Sequence, residues 1–517
     1  MVSVAAGLSF FLFGYDQGDV GGFLTMAPFR RQFPQLDTIG DPISLHRAQI
    51  QGITVASWNI GCFVSALLTI FLSDILGRKR TIMLGISILI IGEIIQCSSY
   101  SIGQLIAGRV IAGFGNGFNT ATVPAWQAEC SKAHRRGRVL MISLGSWLAA
   151  GLAFSYWMTF AFGYLDVSSA SWRVPIAMQL VFALLALLLY SFLPDSPRWQ
   201  ILTGREDAAL KTLSALGDLP TSDPRIHDEF LAIKDAVIQL AQGSFKMLFS
   251  MDENRYLHRI VLAYVIQVFQ QASGINVVTQ YFAMMFALRI HFTEWVSRLL
   301  AACASTTFFA ASFMAVIGID RFWGRRWLML FGASGMCISM IILTVMMSVN
   351  TTGARITEAV FLFFYVSFFA VGWQAMSWLY SVEITPLRVR GPANALSTSG
   401  NWIFNFVMVL IAPIAFRNIS YKTYIIFAVT NAAIIPAVYF FYPETAYRCL
   451  EEVDVIFHAA SLSKRPWFSV VQIARDEPLW YGKDGEASFD YEQSDWHRQY
   501  VEKGEKLSSS SGERPSV

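Results

Sequence analysis

Apolar runs longer than about 18 residues recur along this chain, and each is long enough to cross about 30 Å of hydrocarbon as a helix. No other feature limits the fold so strongly, because a backbone in lipid must satisfy its own hydrogen bonds. Charged residues make up 15% of the chain and hydrophobic ones 54%. A soluble protein would carry about 25% charged residues. The net charge of +3 is too small to suggest nucleic acid as a partner, and the basic residues cluster at the ends of the runs, as topology signals do. The six cysteines stand singly, so neither a disulfide framework nor a zinc site is indicated, and no metal or cofactor is expected. No cleavable signal peptide is expected either: the first run carries Asp16 and continues through Gly21-Gly22.

Three signals occur twice. Glu129, six residues and Arg136-Gly137 return as Glu383, six residues and Arg390-Gly391. Asp74-Ile-Leu-Gly77-Arg78 is echoed by Asp320-Arg-Phe-Trp-Gly324-Arg325, and Pro194-Asp195 by Pro443-Glu444. The copies lie roughly 250 residues apart in each case, which indicates a duplicated half. Two hydrophobic halves in parallel point to a membrane transporter.

Taken in order, the runs predict an all-α membrane protein with twelve spans. Six lie at about 2–26, 49–72, 81–97, 102–126, 139–163 and 173–193; six more lie at about 259–287, 295–318, 327–348, 359–381, 393–415 and 422–442. The corresponding domains are an N-terminal bundle (1–196), a linker (197–256), a C-terminal bundle (257–443) and a tail (444–517). The linker is polar, with helical apolar spacing at Leu210, Leu213 and Leu216 and again at Phe230, Ile233, Val237 and Leu240, so short amphipathic helices are expected there. Arg78, Arg136, Arg321–Arg326 and Arg388–Arg390 all fall on one side, which the positive-inside bias makes cytoplasmic, together with both termini. The tail beyond about Asp476 is expected to be disordered. Asn350-Thr-Thr and Asn418-Ile-Ser fit the glycosylation pattern on predicted outer loops. In span 4, Gly108, Gly113, Gly115 and Gly117 are spaced to let helix backbones approach closely.

An ordered series of motifs carries a resemblance. It comprises Gly14-Tyr15-Asp16-Gln17-Gly18, Asp74…Gly77-Arg78, Gly108-Arg109…Pro124…Glu129…Arg136-Gly137 and Pro194-Asp195-Ser196-Pro197-Arg198-Trp199, then Gln270-Gln271…Gly274-Ile275-Asn276, Trp378…Glu383…Arg390, Asn401-Trp402…Asn405-Phe406 and Pro443-Glu444-Thr445. From Gly14 to about Phe457 the chain resembles the sugar porter family of the major facilitator superfamily, its fungal members in particular. The resemblance implies two six-helix bundles around a central substrate site reached alternately from each side of a plasma membrane, with the monomer as the functional unit.

Gln270, Gln271 and Asn276 place three amides in seven residues of span 7, and an amide offers both a donor and an acceptor to a sugar hydroxyl. The family resemblance assigns all three to sugar contact and adds Trp378 and Asn401. An indole stacks on the apolar face of a pyranose. Asp16 and Arg109 fall at similar depth, at about 1.5 Å rise per residue, in spans of opposite direction. A lone charge there is costly, so the two should pair or face water. The resemblance makes them a proton-coupling acid and its arginine. The acid–arginine repeats, Asp74, Arg78, Glu129 and Arg136 with Asp320, Arg325, Glu383 and Arg390, look like latches at the cytoplasmic helix ends.

Some positions depart from the family pattern. No Gln occurs between Gly137 and Met178, and no Asn between Val277 and Val349. Gln280 stands in place of a usual Tyr, Ala375–Ser377 replace the usual prolines, Trp323 lengthens one motif and Tyr447 replaces a usual Gly. Asp19 and Glu93 are additional acids at apolar positions. The expected function is therefore secondary transport, by proton symport, of a monosaccharide; a polyol or quinate remains an alternative substrate. A non-transporting sugar sensor is a second reading. A membrane enzyme is disfavoured, since no catalytic triad, metal cluster or phosphate loop is visible.

Overall fold

The computed structural model describes residues 1–479 apart from 41–43, 132–135, 166, 224–225, 228–229, 231–232, 235–247, 252–253, 289, 291, 319–322, 350, 387–388 and 449; at 74, 136–137 and 450–451 it describes the backbone alone. Twelve long helices run through the described residues. They are α1 (Val2–Phe23), α2 (Leu45–Leu76), α3 (Arg78–Cys97), α4 (Ile102–Glu129), α5 (Arg136–Leu140 continuing through a π-helical turn, Met141–Ser146, into Trp147–Phe162) and α6 (Ala170–Phe192). The second set is α7 (Tyr256–Ala272 and Ile275–Leu288), α8 (Glu294–Gly318), α9 (Arg325–Val349), α10 (Thr352–Gly372 and Met376–Ile384), α11 (Arg390–Ile419) and α12 (Lys422–Phe441).

Ten of these are long and apolar enough to cross a membrane by composition alone. The other two, α1 and α4, carry buried polar residues, among them Asp16, Asp19, Arg109, Asn116 and Asn119, which lower their hydropathy. Both turn these residues onto other helices rather than toward lipid, which makes the polar content tolerable. The outward faces are apolar, with Phe71, Ile91, Leu188, Phe313, Ile338 and Val429 exposed. This is the surface expected of a protein surrounded by acyl chains.

The packing repeats with an offset of six helices. In the first half α1 lies on α5, α3 on α4 and α6; in the second α7 lies on α11, α9 on α10 and α12. Across the halves α2 packs on α11, and α5 packs on α8. Close approach of α2 to α4 depends on Gly113, where a Cβ would strike the Trp58 carbonyl.

Two spans differ from the unbroken helices expected. Gly274 has φ +93°, a conformation that ends the first part of α7 at Ala272 and restarts it at Ile275. The second break falls in α10, at Trp373–Ala375. In the linker, helices Pro197–Leu202 and Glu206–Gly217 pack with Ile226 and Phe230 in a small apolar cluster. Val237 and Leu240, Asn350 and the tail from residue 480 lie outside the described residues. Before that point the tail forms two helices that were not expected, Leu450–Ser461 and Pro466–Asp476. They pack beneath the second half through Arg259–Asp454 and the His258–Trp467 ring contact.

Candidate functional site

Both helix breaks open onto one central cavity between the halves. It is lined by Phe13, Gln17 and Leu148 from the first half, and by Gln270, Gln271, Ile275, Asn276, Thr279, Phe308, Phe369, Gln374, Trp378 and Asn401 from the second. All five residues expected to contact substrate therefore meet here. They do not share one continuous helix face: Gln270 and Gln271 precede the break in α7, and Asn276 follows it.

The amides satisfy one another. Gln271 Nε2 donates to Asn401 Oδ1 (3.0 Å), and Asn276 Nδ2 donates to Gln271 Oε1. Asn401 Nδ2 donates to both Gln267 Oε1 and Gln270 Oε1 (2.7 Å each). Gln270 Nε2 reaches the Trp373 and Gln374 carbonyls (3.2 and 3.1 Å) that the break in α10 frees from the helical ladder. From the other half, Gln17 Nε2 donates to Asn276 Oδ1 (3.3 Å). A polyhydroxylated ligand can exchange such bonds one for one, since every hydroxyl is donor and acceptor together. Around the amides stand Phe13, Leu148, Phe308, Phe369 and Trp378, apolar surfaces suited to the C–H faces of a sugar ring. Phe10 meets Trp378 edge-on at 6.0 Å. Trp402 lies apart from this lining: it packs between Phe13 and Trp58, and its Nε1 donates to Thr120 Oγ1 (3.3 Å).

Gln17, Gln267 and Gln374 were missed as site residues. Gln17 stood in the quoted motif beside Asp16, and Gln374 sits at the break that only the fold reveals. Gln267 lies one turn before Gln271, a spacing that periodicity could have flagged.

Asp16 and Arg109 come together within the first half, Nη1 to Oδ1 at 4.0 Å, both 2% exposed. Arg109 Nη2 also donates to the Val55 carbonyl (3.3 Å). Neither Asp16 oxygen has a hydrogen-bond partner. Asp19 and Glu93 are fully buried in the same region, Asp19 accepting from Gln179 Nε2 (2.8 Å) and Glu93 from Gln96 Nε2 (3.1 Å).

At the linker end, the duplicated acids and arginines form two matching assemblies. Arg78 Nε lies 3.5 Å from Glu129 Oε2, and Arg325 Nη2 lies 3.2 Å from Glu383 Oε1. Glu129 accepts from Ser196 Oγ, as Glu383 does from Thr445 Oγ1. Asp195 accepts from the Lys79 N–H, and Glu444 from the Arg325 and Arg326 N–H groups, so each acid caps the start of α3 or α9. Each assembly ties helices of its own half. Arg390 Nη2 donates to the Thr385 carbonyl (3.4 Å). The Asp74 and Arg136 side chains and Asp320 lie outside the described residues.

Comparison with known proteins shows the family and the fold. The family described as "Sugar (and other) transporter" matches residues 1–457. The chain is 36% identical over 475 residues to "Sugar transporter STL1" of Saccharomyces cerevisiae, covering 90% of this chain and 82% of that protein. Similarity to "High-affinity glucose transporter 1" of Candida albicans is 29% over 507 residues, covering 92% and 89%. Among solved structures, the proton:xylose symporter XylE bound to 6-bromo-6-deoxy-D-glucose superposes with a TM-score of 0.74 at 23% identity, over 88% of this chain and 98% of that one.

Proposed function

This chain belongs to the sugar porter family of the major facilitator superfamily, and from that premise we propose that it carries a monosaccharide across the plasma membrane together with protons. It is an integral, multi-pass sugar transporter rather than an enzyme. The observation that carries the finer reading is the amide ring of Gln270, Gln271, Asn276 and Asn401, faced by Trp378 and joined by Gln17 from the opposite half. A sugar bound there replaces bonds that otherwise link the halves, so binding and helix movement share the same groups.

In this mechanism residues 1–196 and 257–443 rock about the cavity, with 197–256 and 444–517 as cytoplasmic connections and both termini on that side. Arg109 holds ionised Asp16; protonation of Asp16 weakens the pair and frees α1, which lines the cavity through Phe13 and Gln17. At the cytoplasmic face Arg78–Glu129 and Arg325–Glu383 keep each half's helix ends together in the inward-closed state. The monomer suffices, as substrate and coupling groups all lie in one chain. The nature of the relatives favours a hexose or pentose: one is named a glucose transporter and a structural neighbour a xylose symporter.

A second reading, a polyol or quinate as substrate, draws on the amides that α5 and α8 lack: no Gln occurs between Gly137 and Met178 and no Asn between Val277 and Val349, and those helices line the cavity with Leu148 and Phe308. Uptake of labelled D-glucose, D-xylose, D-sorbitol and quinate in transporter-deficient cells separates the two. Saturable uptake of a monosaccharide supports the first; uptake of the polyol or acid alone supports the second. Binding without uptake of any of them overturns both in favour of a sensor.

A further inference from the structure

We propose that Asp19 and Glu93, both protonated while Asp16 is ionised, hold a second exchangeable proton in the first half, so that each transport cycle moves two protons with the substrate. The proposal rests on the proton-coupling reading of Asp16 and extends it to two acids that reading leaves unused.

Asp16, Asp19 and Glu93 are 2%, 0% and 0% exposed, and all three interact electrostatically with one guanidinium, Arg109, itself 2% exposed. Arginine stays charged at any accessible pH. Three ionised carboxylates around one cation would leave two negative charges uncompensated in the interior of a membrane protein, a strongly unfavourable state. The electroneutral cluster therefore carries two protons. The other titratable groups that act on this cluster are Tyr15 on α1, Cys62 on α2, Cys97 at the end of α3, Tyr156 on α5 and Tyr281 on α7; Arg173 on α6 acts on Cys97 but is not among the charges that act on the three acids. Phenols and thiols are neutral near pH 7 and add no charge to the balance.

Hydrogen bonding then distinguishes the acids. Asp19 Oδ2 and Glu93 Oε1 each accept an amide N–H, from Gln179 and Gln96, which leaves Asp19 Oδ1 and Glu93 Oε2 without a partner. One oxygen that accepts and one that can bear hydrogen is the arrangement of a protonated carboxyl. Asp16 differs: it lies within ion-pair distance of Arg109, Nη1 to Oδ1 at 4.0 Å, which suits the ionised member of the set. Asp16 and Asp19 are three residues apart on α1 and so share a face. Protons rather than a metal cation balance the acids, since among the described residues no group of three or more His, Cys, Asp or Glu is placed to hold a metal ion. Arg109 Nη2 is held by the Val55 carbonyl, while Nε and Nη1 are buried without hydrogen-bond partners, so the acids act on the rest of the guanidinium by charge.

The test is the coupling stoichiometry of the full chain in proteoliposomes, read with whichever of D-glucose, D-xylose and D-sorbitol it accumulates. At zero net flux, a one-unit pH gradient without membrane potential balances about a hundredfold substrate gradient for two protons and about tenfold for one. Two protons are expected for the wild type, and one for Asp19→Asn/Glu93→Gln, with Asp16 untouched. A wild-type value of one overturns the second proton and leaves Asp16 coupling intact. No dependence on the pH gradient overturns both readings. A value of two that survives in the double variant places the second proton elsewhere and overturns the assignment. A parallel measurement does not depend on the variants folding. Dicyclohexylcarbodiimide, which modifies protonated carboxyls in apolar settings, is applied to wild-type membranes at pH 7 and mapped by mass spectrometry. Label on Asp19 or Glu93 with Asp16 unmodified is the expected outcome; absence of label from both acids contradicts the proposal.

Discussion

Asn276 and Gln271 stand on opposite sides of the break in α7, and Asn276 donates a hydrogen bond to Gln271 across it. The same Asn276 accepts from Gln17 on α1. One side chain thus connects both parts of a broken helix and both halves of the molecule. A ligand that competes for its bonds acts on the helix break and on the contact between halves at once.

The first prediction follows from that ring. Gln270→Ala and Asn276→Ala are expected to raise the apparent Km with unchanged abundance in the membrane. One hydrogen bond to an uncharged hydroxyl contributes about 0.5–1.5 kcal/mol, which corresponds to a rise of about two- to twelvefold. Uptake kinetics with surface quantification provide the check. Unaltered Km in both variants would place the substrate elsewhere.

A second concerns the backbone of α7. Gly274 has φ +93°, and a Cβ there would lie 2.7 Å from the Phe427 ring. A left-handed conformation costs a residue with a Cβ about 1–2 kcal/mol. Gly274→Ala should therefore lower both the melting temperature in detergent and the uptake rate. If neither changes, the break in α7 does not depend on this glycine.

Much of this architecture is legible in the sequence because lipid imposes long helices and duplication repeats their end signals. The twelve runs, the amides of α7 and the depth match of Asp16 with Arg109 all follow from spacing. Partner choice does not. Glu129 recurs with Arg136 and Glu383 with Arg390; the structure also sets Glu129 against Arg78 and Glu383 against Arg325, because helix ends distant in sequence converge at one face, while the Arg136 side chain lies outside the described residues. The breaks were hidden for a related reason. Gly274 signals a possible turn, but a run of apolar residues on both sides reads as one helix. Gln374 gains its place in the cavity lining only where α10 is interrupted.

The third prediction addresses those helix ends. Arg78→Ala and Arg325→Ala are expected to shift the protein toward inward-open states, read as faster modification of a cysteine introduced at the cytoplasmic face. Asp195→Asn and Glu444→Gln remove the charged caps of α3 and α9 and should lower thermal stability, by about 0.3–1 kcal/mol each. Equal labelling rates in the arginine variants and the wild type would reduce both assemblies to caps without a role in gating.

Energy coupling provides the fourth prediction and the most direct test of the account, by substrate accumulation in intact cells. Wild-type uptake should be concentrative, should increase as the external pH is lowered, and should fall to equilibration when a protonophore is added. Asp16→Asn should still exchange labelled substrate across the membrane but accumulate it far less than the wild type, because Arg109 would face a side chain that cannot lose a proton. Undiminished accumulation by Asp16→Asn, still sensitive to the protonophore, would contradict the assignment of Asp16 as the coupling acid.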